Sequence, residues 1–129
     1  MNSPQIPANV LQFIAERIDT VPQLESLLLL WENQQRAWTE EEVAGRVYVS
    51  RADAAQILQA LQRQNLVAVE SAEAPRYQYN PQWDPTGQVM PEVAAAYRRH
   101  LVQLATFIHS RASTAVREFA RAFDFKKDR

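Results

Sequence analysis

The stretch SRADAAQILQALQRQNLVAVE, residues 50–70, changes its hydrophobic period part-way, and no other feature of the chain constrains the fold as much. Ala54, Ile57, Leu58 and Leu61 recur at spacings of three and four, which places them on one side of a helix. Past Asn65 the period drops to two. LVAVE then reads as a strand, RYQYN as its return, and SAEAP as the link, with Pro75 placed to stop the ladder. Asn65 suits so abrupt a switch, because asparagine accepts the left-handed backbone that ends a helix.

Further helices precede this unit. Val10, Phe13, Ile14 and Ile18 give IPANVLQFIAERI an amphipathic period. Thr20 and Gln23 have the spacing of a capping box, and Pro22 falls in the first turn of the next helix, where a missing N–H costs nothing. Leu27 to Leu30 are apolar nearly all the way round, so this helix is expected at the centre, covered on several sides. Ala37–Trp38 leaves room for a very short strand. Thr39 and Glu42 form a second capping box, and the carboxylates of Glu40, Glu41 and Glu42 complement the dipole at that helix start rather than forming a metal or acid–base site. The helix is expected to end near Gly45–Arg46, VYV to make the turn, and Ser50 with Asp53 to form a third box before a helix from Arg51 to about Gln64.

NPQWDPTGQVMP carries three prolines and a glycine in twelve residues and reads as a connector, with Trp83 pinning it to the core. A long helix is expected from Pro91 to at least His109. Tyr97, Leu101, Leu104 and Ile108 form a narrow apolar seam on it, extended backward by Ala94 and widened by Val102, Ala105 and Phe107. Such a seam fits packing against the first helix of the same chain or, favoured here after a proline-rich connector, a two-fold homodimer. SRAST, residues 110–114, is expected to interrupt or re-cap the helix. AVREFARAFDFKKDR closes the chain as an amphipathic basic segment with Phe119 and Phe123 on one face and Lys126 and Lys127 elsewhere. The division is residues 1–80 as N-terminal helix and main domain, 81–91 as connector, and 92–129 as helical extension.

Several function classes find no support in the composition. The chain has no cysteine, so disulfides and thiolate metal sites are out. SLLLLW is too short to span a bilayer or act as an export signal, so a cytoplasmic protein without membrane insertion is expected. His100 and His109 are nine apart, which on one continuous helix places them on opposite sides, unable to share a metal. Two glycines leave no phosphate-cradling loop, and the serines stand without an elbow motif. The expectation is no enzyme, no cofactor and no metal. Net charge is −1, but unevenly spread: residues 1–80 hold six Lys/Arg against ten Asp/Glu, and residues 81–129 hold eight against five.

Residues 20–80 have the element order helix, strand stub, helix, turn, helix, hairpin. They resemble the winged helix-turn-helix of MarR-like bacterial transcriptional regulators. The whole chain is similar to small bacterial winged-helix proteins in which FIxxxIDxxxQLExLLLL leads into the domain and FAxAFxxKK closes the chain. The matching residues are Phe13–Ile14, Ile18–Asp19, Gln23–Leu24–Glu25, Leu27–Leu30, Phe119–Ala120, Ala122–Phe123 and Lys126–Lys127. The resemblance implies a mainly α (α+β) fold with a small β-hairpin wing, an extra N-terminal helix and a long C-terminal helical extension. It also implies a DNA-binding transcriptional regulator, working as a homodimer. The residues agree in kind. Ala52, Gln56, Gln59 and Arg63 form the stripe opposite the apolar side of helix 51–64, with Arg51 at its margin. Small residues allow close approach, glutamine pairs with adenine, and arginine pairs with guanine or phosphate. Ser50 and the first-turn amides suit a phosphate, and Arg76 on the wing another. The wing departs from a DNA-gripping pattern, with Glu70 and Glu73 against Arg76. That departure leaves open a second function, a winged-helix adaptor that binds a protein partner and no DNA.

Overall fold

The computed structural model describes residues 6–70 and 73–110. Along the chain come α1 (Ala8–Arg17), α2 (Val21–Glu32), β1 (Trp38–Thr39), α3 (Glu40–Val47), α4 (Arg51–Arg63), β2 (Val67–Val69), β3 (Arg76–Tyr79), α5 (Val89–Arg99) and α6, residues 101–110. The strands form one antiparallel sheet in the order β1-β3-β2. Its register sets Trp38 opposite Tyr77, Thr39 opposite Arg76 and Val67 opposite Tyr79.

Side-chain caps fix where α2, α3 and α4 begin. At α3 the box is complete: Thr39 Oγ1 accepts from the Glu42 amide (3.1 Å) and Glu42 Oε1 accepts from the Thr39 amide (3.0 Å). At α2 Thr20 Oγ1 accepts from the Gln23 amide, but Gln23 Oε1 takes the Asp19 amide (2.7 Å) instead of the one on Thr20. At α4 Ser50 Oγ accepts from the Asp53 amide (3.0 Å), and no reciprocal bond completes a box. Each such cap is worth about 1 kcal/mol.

The two breaks around α4 use left-handed residues. Helix α4 ends with Asn65 at φ 63, where the Asn65 amide reaches the Gln62 carbonyl and the Leu66 amide the Leu61 carbonyl. That paired pattern is a Schellman motif, and it releases the chain directly into β2. Helix α3 ends at Tyr48, φ 64, with the Val49 amide returning to Ala44.

Helix α2 is central, as its leucine run predicts. Leu24, Leu27, Leu28 and Leu30 are buried, and so are Gln23 and Ser26. The Ser26 hydroxyl is satisfied by donating to the Pro22 carbonyl (2.8 Å). Around it pack Val10, Phe13 and Ile14 of α1, Val43 of α3, Ala54, Leu58 and Leu61 of α4, Met90 and Val93 of α5, and Leu104 and Ile108 of α6. One continuous apolar cluster therefore includes both the N-terminal helix and the described part of the C-terminal extension.

The connector is more ordered than its prolines suggest. Residues Pro81–Trp83 make a turn of 3-10 helix, and Trp83 stacks on Phe13 with ring centres 5.0 Å apart. Buried Asp84 then accepts from the amides of Gln88, Val89 and Met90, which satisfies the start of α5 from several residues upstream. Gly87 supplies the positive φ (66) that lets the chain double back onto that carboxylate. As a result α5 begins at Val89, inside the stretch expected to be connector.

The expected single helix from Pro91 to His109 is two helices. His100 leaves helical geometry (φ −134, ψ 41), its amide still bonded to Ala96 and its carbonyl already accepting from Leu104. Neither proline nor glycine stands at the break. The change of direction accompanies full burial of Leu104 and Ile108, each worth roughly 1.5–3 kcal/mol. Ser110 ends α6 as described; the rest of SRAST and the basic segment with Phe119, Phe123, Lys126 and Lys127 lie outside the described residues.

Candidate nucleic-acid interface

Helix α4 divides cleanly into two faces. Ala54, Leu58 and Leu61 are fully buried, with Ile57 half-buried beside them. Ser50, Arg51, Ala52, Gln56, Gln59 and Arg63 are all exposed, as is Arg76 on β3. The side of the helix that the sequence marks as a reading face is therefore uncovered by any other described part of the chain. Ser50 commits its hydroxyl oxygen to the Asp53 amide, so an anion at this helix start would meet the earlier amides instead.

The three glutamates at the start of α3 do three different things. Glu42 closes its capping box and pairs with Arg36 (3.1 Å); the Thr39 amide first, and the Arg36 guanidinium after it, hold its carboxyl below the ordinary range. Glu41 is simply exposed. Glu40 turns inward, its side chain 16% exposed, with Arg51 Nε at 4.0 Å and the Tyr77 hydroxyl donating to its other oxygen at 3.4 Å. Burial, reinforced by the Glu40 charge, pushes the Tyr77 phenol up. Sequence reasoning treated the three as one dipole-compensating group; the strand register that brings Tyr77 to Glu40 is a tertiary fact.

Arg36 lies over the Trp38 ring, 3.7 Å from its centre, with Arg46 further off at 5.4 Å. Tyr48 was expected only to occupy the turn. It is 91% exposed and in left-handed backbone, a position glycine would fill at lower cost. The signal available was its place between Val47 and Val49, both half-buried, immediately before the cap at Ser50.

The proposed dimer seam is not held together as one stripe. Leu104 and Ile108 are at 0% exposure within the single chain, packed into its own core. Tyr97 is partly buried, its hydroxyl donating to Glu25 on α2 (2.6 Å). Leu101 is 43% exposed, and Val102, which widens the seam, is 78% exposed. The break at His100 is the physical reason: the apolar register does not run on through it, so Leu104 and Ile108 join the core while Leu101 and Val102 are left exposed. Among the described residues no helix is long and apolar enough to cross a membrane, and no cluster of three metal-ligating side chains occurs.

No protein-family model matches the sequence, and no curated protein is similar to it. Solved structures do match in shape. A variant of MepR from S. aureus bound to an oligodeoxyribonucleotide is 14% identical, with 89% of this chain and 87% of that one covered at a TM-score of 0.54. YusO from Bacillus subtilis is 19% identical, covering 88% and 82% at 0.52. A MarR family protein from Bacillus stearothermophilus is 16% identical, covering 94% and 84% at 0.50. The fold is a winged helix-turn-helix. In these terms α3 and α4 are the helix-turn-helix, Tyr48 stands in its turn, β2 and β3 are the wing, and α1, α5 and α6 are additions packed on the same core. The wing is as acidic as the sequence indicates, with Glu70, Glu73 and Arg76 all exposed.

Proposed function

We propose that the chain is a DNA-binding transcriptional regulator that lays α4 in a major groove. The observation that carries this reading is the uncovered stripe of Arg51, Ala52, Gln56, Gln59 and Arg63, one small and four hydrogen-bonding side chains on a helix whose opposite face is locked into the core. Small Ala52 lets the helix start approach the groove floor. Gln56 and Gln59 offer amides to adenine, and Arg63 a guanidinium to guanine or phosphate. Arg76, in register with Thr39, reaches a phosphate from the wing. The DNA-bound MepR structure uses the same fold, which supports the reading in architecture.

The working form is a homodimer. Leu101 and Val102 are large apolar side chains left in water on α6, and a second copy would cover them. Two modules that each bring few cations to a duplex gain from binding together.

The acidic surroundings favour one competing reading. Glu41 and Glu42 on α3 and Glu70 and Glu73 on the wing are exposed, and a protein partner bound as by an adaptor would tolerate them better than a phosphate backbone would. Anisotropy titration against the duplex upstream of the chain's own gene, at two salt concentrations, separates the two. A reader using three cations per chain binds with a log–log salt slope no steeper than about −3 per chain. An adaptor shows no duplex binding at low salt.

A further inference from the structure

Arg51 stands at the start of the reading helix, and it pairs with Glu40, a carboxylate from a different helix. The Glu40 side chain is 16% exposed and the Arg51 side chain 73% exposed, with Nε and Oε1 4.0 Å apart. The Arg36–Glu42 ion pair is built differently: both side chains are about half exposed and touch at 3.1 Å. An enclosed carboxylate is screened less by salt than an exposed one, so its field on a nearby guanidinium persists where surface pairs fade. Glu40 is also anchored from the far side, because Tyr77 of β3 donates to its second oxygen. The strand pairing sets Thr39 opposite Arg76, so the residue before Glu40 is tied to the wing cation as well. Three elements that would touch DNA (the first turn of α4, the wing strand and the start of α3) therefore meet at one carboxylate.

We propose that Glu40 is a positioning residue for duplex binding: it aims Arg51 and offsets its charge, so that Arg51 engages a base edge or phosphate in a well-fitted site but adds little to non-specific attraction. This rests on the DNA-binding reading above. The logic is a competition. A loosely placed phosphate must take Arg51 from a fixed carboxylate and gains little by it. A guanine or a phosphate presented in the right geometry offers two short charge-assisted bonds and wins. In a domain whose wing is acidic, this arrangement widens the gap between specific and non-specific binding rather than raising affinity overall.

The test uses the full chain and two duplexes of equal length, one from upstream of its own gene and one of scrambled sequence. Glu40→Gln keeps an oxygen for Tyr77 and removes the charge. Binding to the scrambled duplex should steepen by about 0.9 in log–log salt slope and tighten about eightfold at 0.1 M salt, as one released phosphate contact requires. The ratio of upstream to scrambled affinity should fall. In an Arg51→Gln background the same change should leave the slope unmoved; if it steepens there too, Glu40 merely repels DNA and the proposal is overturned. Arg51→Gln alone gives a second measurement that does not depend on how Glu40→Gln folds. It should weaken upstream binding while leaving the scrambled-duplex slope within error of the parent, and an equal loss on both duplexes would overturn the proposal. A purely structural Glu40 would lower thermal stability and weaken both duplexes without changing either slope. If the unaltered protein binds neither duplex at low salt, the DNA-binding reading fails and this inference with it; if it binds and the slopes do not respond, only the role of Glu40 fails.

Discussion

Helices α4 and α6 both turn a buried apolar stripe inward, Ala54, Leu58 and Leu61 on one and Leu104 and Ile108 on the other. Their outward stripes differ in kind. On α4 the exposed positions are Arg51, Ala52, Asp53, Gln56, Gln59, Gln62 and Arg63, all short or polar. On α6 they include Leu101 and Val102, which offer a base edge no hydrogen bond and whose exposure to water costs free energy. The inward stripes hold the fold, and the outward ones separate the two proposed roles: duplex binding at α4 and contact with a second copy at α6.

The largest effects test whether the two inward stripes are equivalent. Leu58→Ala and Leu104→Ala each empty a fully buried site and should each cost about 2–5 kcal/mol in urea unfolding. A cost below about 1 kcal/mol for Leu104→Ala would mean that α6 is not core, and the comparison would break. On the outward side of α4, Gln59→Ala and Arg63→Ala should each weaken upstream-duplex binding by about 1–3 kcal/mol with an unchanged melting temperature. On the outward side of α6, Val102→Glu should leave the fold intact and convert dimer to monomer in a solution mass measurement. If the mass is monomeric before the substitution, the dimer proposal is wrong.

Smaller effects come from the phenols. Burial first, then the bond to Glu25, pushes the Tyr97 hydroxyl up to about 12. The folded state thus holds this proton more tightly than the unfolded chain, whose phenol titrates near 10. Its contribution is fully present below pH 10 and is lost as pH rises towards 12. Tyr79, raised to about 12 by burial and then by the Asp84 charge, adds to the same decline. Tyr97→Phe should flatten the fall in stability over pH 10–12 in part, and Tyr97→Phe with Tyr79→Phe should flatten it further. The smallest expected change is Tyr48→Gly. Relief of the left-handed strain, less the extra unfolded-state entropy of glycine, should raise stability by up to about 1 kcal/mol.

Much of the α4 region was legible because its determinants are local. The cap at Ser50, the left-handed Asn65, the turn to β2 and the two faces of residues 51–63 all follow from spacing and side-chain type within some twenty residues. The C-terminal part was less legible because its determinants are distant. Nothing near His100 breaks a helix; the kink reflects where Leu104 and Ile108 find cover. Asp84 caps α5 across an intervening turn, a function that no capping box announces. Glu40 reads as one of three equivalent carboxylates until strand β3 places Tyr77 against it. The exposure of each candidate at α4 was likewise undecided in sequence, since any solvated helix shows the same period.

Amide chemical-shift mapping on addition of the upstream duplex addresses the reading face most directly. The account predicts that perturbations concentrate at residues 50–63 and at Arg76, while the amides of residues 101–110 stay in place. Shifts confined to residues 101–110, or none anywhere at low salt, would contradict it.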